Sequence, residues 1–185
     1  MVSEQGGGSG ATTPATGADA TGAATASSEP VHPGPLHLTL PAGIARQLVD
    51  HARGEYPNEA CGLVVGERPA AEGGRALRFE PTRNAAASPY RYEIDSRDLL
   101  RITLETDDRD EVFWAIVHSH VRTAARPSPT DVGLALYPEA LYMLVALAEA
   151  PEAEAIAPGT SPSPFLRAWR ILDGRVWEVD LDLGE

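Results

Sequence analysis

The sequence predicts a single α/β domain, a mixed β-sheet accompanied by two or three helices. Three observations predict it. Apolar runs and apolar–polar alternations recur at strand length. Helical periodicity appears after Pro41, and capping residues mark helix starts at Asp95 and Ser128. An Asp-Gly pair, Asp173-Gly174, separates two late apolar stretches, as in a tight hairpin.

The elements follow in order. Leu36 to Leu40 (LHLTL) alternates apolar and polar residues and predicts a short strand. Pro41 opens a helix in which Ile44, Leu48, Val49 and Ala52 recur at helical spacing, and Tyr56-Pro57 ends it. Ala60 to Gly66 reads as a buried strand with glycine at both shoulders. A polar, Gly-rich turn follows over 67–76, and Leu77 to Phe79 start a returning strand. Tyr90, Tyr92 and Ile94 alternate with Arg91 and Glu93, which predicts a half-buried strand.

Asp95 is expected to cap a helix running through about Glu105, with Asp98 at its third position. Glu111 to Val117 (EVFWAIV) is rich in strand formers. Ser128-Pro129-Thr130-Asp131 reads as a helix start, with Ser as cap, Pro at the first position and an acid at the third. Leu141 to Ala148 is apolar enough for a central strand. Residues 150–164 read as a Pro/Ala/Ser linker, and Phe165 to Leu172 and Val176 to Leu183 form the hairpin around Asp173-Gly174. Trp114, Trp169 and Trp177 fall on strand patterns and are expected in the core. His32, His37 and His51 lack ligand-like spacing and are expected at the surface.

Composition narrows the function. Residues 1–35 are rich in Gly, Ala, Thr and Ser and cannot offset ordering entropy by burial, so a disordered tail is expected, with the domain over 36–185. No stretch reaches the roughly 18 to 20 apolar residues of a membrane span, and no signal-peptide pattern opens the chain. A cytosolic protein is expected. The 15 basic residues are all arginine against 27 acidic ones, a net charge of -12 that disfavours nucleic acid or an anionic membrane as partner. The single cysteine, Cys61, excludes an intrachain disulfide and a Cys-rich zinc site. With no basic neighbour in sequence to make it a thiolate, it reads as a small core residue.

The chemistry concentrates in HSHVRTAARPSPTD, residues 118–131. Residues i and i+2 of a strand share a face, so His118 and His120 project together as ligands of one metal must. Neutral imidazole suits Zn²⁺. Asp131, in the first turn of the next helix, can return as a third ligand. Two histidines, one carboxylate and an open position make a catalytic rather than a structural zinc pattern. Glu59, an acid leading directly into an apolar strand, is the candidate general base. Ser128 is the candidate oxyanion donor. Each residue has a plainer reading: His-x-His as a polar strand rim, Ser128 and Asp131 as a helix cap, Glu59 as a solvated turn residue. Their joint spacing favours hydrolysis.

These residues resemble the JAMM (MPN+) zinc metallopeptidases, whose pattern is an upstream Glu, then His-x-His, seven residues, Ser, two residues, Asp. Glu59, His118, His120, Ser128 and Asp131 match it without a gap. The resemblance is closer to the bacterial peptidases that act on sulfur-carrier-protein–cysteine conjugates (the CysO-cysteine peptidase type). It is carried by HARGEYPNEACGLVVG (51–66), RNAAASPYRYEIDSRDLL (83–100), HSHVRTAARPSPTDV (118–132) and AWRILDGRV (168–176), and it spans about residues 36–183.

The resemblance implies a cytidine-deaminase-like mixed sheet curled between helices. It implies one zinc per chain on His118, His120 and Asp131, water activation by Glu59 and oxyanion support from Ser128. The implied substrate is a ubiquitin-like sulfur carrier ending in Gly-Gly, from which cysteine is released in cysteine biosynthesis. The tail of such a carrier is expected to add as a strand beside the catalytic sheet edge. The N-terminal tail and the 150–164 linker depart from the pattern. Other readings are an isopeptidase that removes ubiquitin-like modifiers from protein lysines, a non-catalytic scaffold of the same fold, and a metal-storage site.

Overall fold

The computed structural model describes residues 34–185, and the tail expected over 1–35 lies outside them but for its last two residues. The elements are β1 (His37–Pro41), α1 (Ala42–Gly54), β2 (Cys61–Gly66), β3 (Ala76–Thr82), α2 (Ser96–Asp107), β4 (Val112–His120), α3 (Pro129–Gly133), β5 (Leu141–Ala146), β6 (Leu166–Leu172) and β7 (Arg175–Gly184). They build one seven-stranded sheet in the order β1-β7-β6-β5-β4-β2-β3. β1 runs parallel to β7 and β4 parallel to β5, while the other neighbours are antiparallel. The expected mixed sheet is therefore present.

Sequence pattern follows position in the sheet. β2 and β5 lie inside it and are buried at every residue, so they read as continuous apolar runs. β7 lies next to edge strand β1 and alternates, burying Val179, Leu181 and Leu183 while Glu178, Asp180 and Asp182 face outward. The β6–β7 turn places Asp173 at φ 50° and Gly174 at φ 73°, the left-handed pair that a two-residue hairpin needs.

The sheet has two covered faces. α1 turns Ile44, Ala45, Leu48, Val49 and Ala52 onto one face, against Leu141, Met143 and Val145 of β5. On the other face Ile102 of α2 packs with Leu63, Tyr142, Leu144 and Trp169. A bulge at Trp114 adjusts the β4 phase: Val64 pairs with Ala115 but Val65 with Phe113. Beyond it Ile116 faces the α2 side, and strand alternation carries His118 and His120 to the same side.

Four expectations change. Tyr90 to Ile94 forms no strand; one bridge, Asn84 to Ile94, remains. The Asn84 side chain occupies this backbone instead: its Oδ1 accepts from Ala86 and Glu93 N–H, and its Nδ2 donates to the Glu59 and Arg91 carbonyls. The 150–164 segment is irregular but packed, with Ala153 and Ile156 buried against α1 and Arg46 donating to the Ile156 carbonyl at 2.6 Å. Trp114 and Trp169 are core residues, but Trp177 is only half-buried. His51 is half-buried, with its Nε2 3.0 Å from the Cys61 carbonyl oxygen, while His37 is exposed. Among the described residues no helix is long and apolar enough to cross a membrane.

Candidate metal centre

β4 delivers the two histidines. It is an interior strand, flanked by β2 and β5, so His118 and His120 are not on a rim; both are buried. The β2–β4 register pairs Cys61 with His118. Pairing continues outward, since Ser119 N–H donates to the Ala60 carbonyl at 2.9 Å and Ser119 Oγ accepts from Ala60 N–H at 2.8 Å. One step further, the same register sets Glu59 opposite His120. Glu59 N–H donates to the Ser88 carbonyl and its own carbonyl accepts from Asn84, so its backbone is fixed on both sides.

α3 delivers Asp131. Ser128 and Asp131 close a capping box: Ser128 Oγ accepts from Asp131 N–H at 3.2 Å, and Ser128 N–H donates to Asp131 Oδ2 at 2.6 Å. The cap leaves Oδ1 of Asp131 directed at His118 Nε2, 3.4 Å away, with Oδ2 3.7 Å from His120 Nε2. The two Nε2 atoms stand 3.2 Å apart.

This donor set fits a divalent metal. Zn–N bonds of about 2.0–2.1 Å at a tetrahedral angle separate two nitrogens by about 3.3 Å, close to the spacing here. His120 Nδ1 lies 2.8 Å from the Ala124 carbonyl oxygen; donating there leaves the Nε2 lone pair facing the cluster. His118 stacks on Tyr92 with ring centroids 4.3 Å apart, and its buried Nδ1 has no hydrogen-bond partner among the described residues.

Burial and the neighbouring groups set the charge of each member of the cluster. Burial pushes His118 below its ordinary pKa, which keeps the imidazole neutral. Burial also opposes charge on His120, but Asp131, the Ala124 carbonyl and Glu59 together raise it. Asp131 loses solvation too, yet the adjacent His118 and His120 and the bond from Ser128 N–H hold it well below the usual carboxylate range. Glu59 is raised to about 7, chiefly by burial, with His120 opposing and Asp131 reinforcing. Cys61 is buried and raised to about 11, chiefly by burial; its Sγ lies 3.3 Å from Thr82 Oγ1.

All five residues singled out from sequence meet here. Glu59, His120, Ser128 and Asp131 line a cleft of about 240 Å³, and His118 lies buried behind it, grouped with His120 and Asp131. Three supporting residues escape a reading by motif: Ser119, Asn84 and Tyr92. Ser119 carried a signal, because a polar residue between two same-face histidines must point into the opposite face. Asn84 and Tyr92 carried none, since Asn84 bonds loop backbone that periodicity reads as a strand and Tyr92 stacks on a ring from the separate strand β4.

Comparison with known proteins identifies the family. Residues 41–170 match the family described as prokaryotic homologs of the JAB domain. The CysO-cysteine peptidase of Mycobacterium tuberculosis is 38% identical over 149 residues, 80% of this chain and 92% of that protein. A probable TtuB-protein conjugate cleaving protease of Thermus thermophilus is 32% identical over 104 residues, 54% of this chain and 66% of that one. A solution structure of a protein from Desulfitobacterium hafniense superposes with TM-score 0.66 at 31% identity, covering 80% of this chain and 93% of that one. The chain belongs to the prokaryotic JAB-domain family, the group that its Glu, His-x-His, Ser and Asp pattern resembles.

Proposed function

We infer that this protein is a zinc-dependent peptidase that cleaves the bond after the C-terminal Gly-Gly of a ubiquitin-like sulfur carrier and releases cysteine. The observation that carries the reading is the convergence of two imidazole Nε2 atoms and an Asp131 oxygen beside the buried carboxylate Glu59. Zinc held by His118, His120 and Asp131 would supply a Lewis acid that acidifies water toward a pKa of about 7 and polarises the scissile carbonyl. Glu59, raised toward neutrality, takes the proton of the attacking water and passes it to the leaving nitrogen. Ser128 Oγ already accepts from Asp131 N–H, so its hydroxyl proton is free to donate to the oxyanion.

β4 offers no free edge, because β2 and β5 flank it. The carrier tail is therefore assigned to a second cleft of about 300 Å³ bounded by Tyr90 to Glu93, Ser128 and Leu134. The mycobacterial relative supports the cysteine conjugate as substrate. The Thermus relative, named for conjugate cleavage, supports a second reading in which the leaving group is a protein lysine.

The test measures metal content and cleavage together. Glu59→Gln should keep about one zinc per chain and lose cleavage, whereas His118→Ala should lose both. Full cleavage by Glu59→Gln would overturn the assigned roles. Offering the loaded enzyme a carrier–cysteine conjugate and a lysine-linked isopeptide separates the two substrates.

A further inference from the structure

Two clefts flank Ser128 and Asp131, and they are not equivalent. One contains Glu59, His120 and Arg122, while the other, along Tyr90 to Glu93, touches neither Glu59 nor His120. The group that protonates the departing nitrogen must sit on the leaving-group side. The Glu59 cleft therefore receives the leaving group, and the carrier tail fills the other.

We propose that Arg122 is a specificity residue that binds the free α-carboxylate of the single amino acid leaving the carrier. This rests on the peptidase reading above. Arg122 is exposed, lines the Glu59 cleft, and makes no hydrogen bond or ion pair among the described residues. Its five donors are thus available to a ligand. The cleft also carries two acids, Glu59 and Asp131, in a chain of net charge -12, and Arg122 is the one arginine among the described residues on its lining to offset an incoming carboxylate. A guanidinium matches a carboxylate in charge and in bidentate geometry.

The chemistry of the leaving group makes this selective. In an amino acid joined through its α-nitrogen, the carboxylate is two bonds from the departing nitrogen. A lysine released from an isopeptide bond has no carboxylate there. During hydrolysis the water oxygen bonds to the glycine carbonyl carbon and the C–N bond breaks. The proton held by Glu59 goes to the nitrogen. The products are the carrier carboxylate and a free amino acid, whose charge Arg122 offsets throughout. The cleft of about 240 Å³ accommodates one residue of cysteine size.

The test uses the full zinc-loaded chain and mycobacterial CysO extended by one C-terminal cysteine, prepared as the free acid and as the carboxamide. The wild type should favour the acid by at least tenfold in kcat/KM. Arg122→Gln should bring the acid-to-amide ratio to within twofold, and Arg122→Lys should restore part of it. Because the side chain is exposed, melting temperatures should match and show that all three proteins are folded. A wild type that cleaves acid and amide equally, or a ratio untouched by Arg122→Gln, overturns the role of Arg122 and leaves the peptidase reading standing. A wild type that cleaves neither conjugate overturns both.

Discussion

Glu59 is an acid taken out of water beside another acid, and its protonation is therefore coupled to folding. Burial raises its folded-state pKa from 4.5 to about 7. A carboxyl raised in this way contributes stability that is fully present below the unfolded value and is lost as pH rises through about 7. In metal-free protein Glu59→Gln should therefore melt a few degrees above the wild type at pH 8, with the gap closing by pH 5. Melting curves in chelator at the two pH values check this; a gap that widens toward pH 5 contradicts it. Ser128 caps α3 and is the proposed oxyanion donor, and substitution should expose both roles. Ser128→Ala should cost about 1 kcal/mol of stability through the lost cap and on the order of 10²–10³-fold in kcat through the lost oxyanion donor. Ser128→Thr, which keeps the hydroxyl, should recover most of both in parallel denaturation and rate assays.

At the scale of elements, the site depends on how β2 meets β4. Ser119 accepts from Ala60 N–H on the face opposite the histidines and so holds the register that brings Glu59 to His120. Ser119→Ala would leave a buried N–H without a partner, at a cost of about 1–3 kcal/mol. Urea denaturation should show that loss, and kcat should fall although Ser119 touches no reactant. The Tyr90–Ile94 segment shows where periodicity misleads. Its alternation is real, but Asn84 takes over two of its backbone bonding positions, the Arg91 carbonyl and the Glu93 N–H, and only the bridge to Ile94 is left of a ladder. The resulting loop frames a cleft that a strand would have closed into the sheet.

For the whole molecule, the binding of metal should be visible as stability. A ligand at 100 times its Kd stabilises the native state by about 2.7 kcal/mol. In a domain of this size that corresponds to a rise in Tm of roughly 5–11 °C. Scanning calorimetry of chelated and zinc-loaded protein measures it, and His118→Ala should show no rise. The packed 150–164 segment contributes to the same cooperative unit. Its Ile156 is buried against α1, and Arg53 donates to the Pro151 carbonyl at 2.7 Å.

The sequence by itself determined the strands other than the one expected over Tyr90–Ile94, the helix starts, the Asp-Gly hairpin and the five candidate residues that the fold brings together. These depend on local physics: strand period, cap chemistry and the need of one metal for same-face ligands. His118 and His120 were legible because two residues of a strand define a face, and Ser128 with Asp131 because a capping box is a four-residue pattern. Only the tertiary structure decided that Glu59 lies opposite His120, since that placement follows from a β2–β4 register between segments almost sixty residues apart. It also decided that the histidine strand is interior, that Asn84 replaces a strand with a loop, and that Arg122 shares a cleft with Glu59. Each depends on which distant backbone groups pair, and residue periodicity carries no record of that choice.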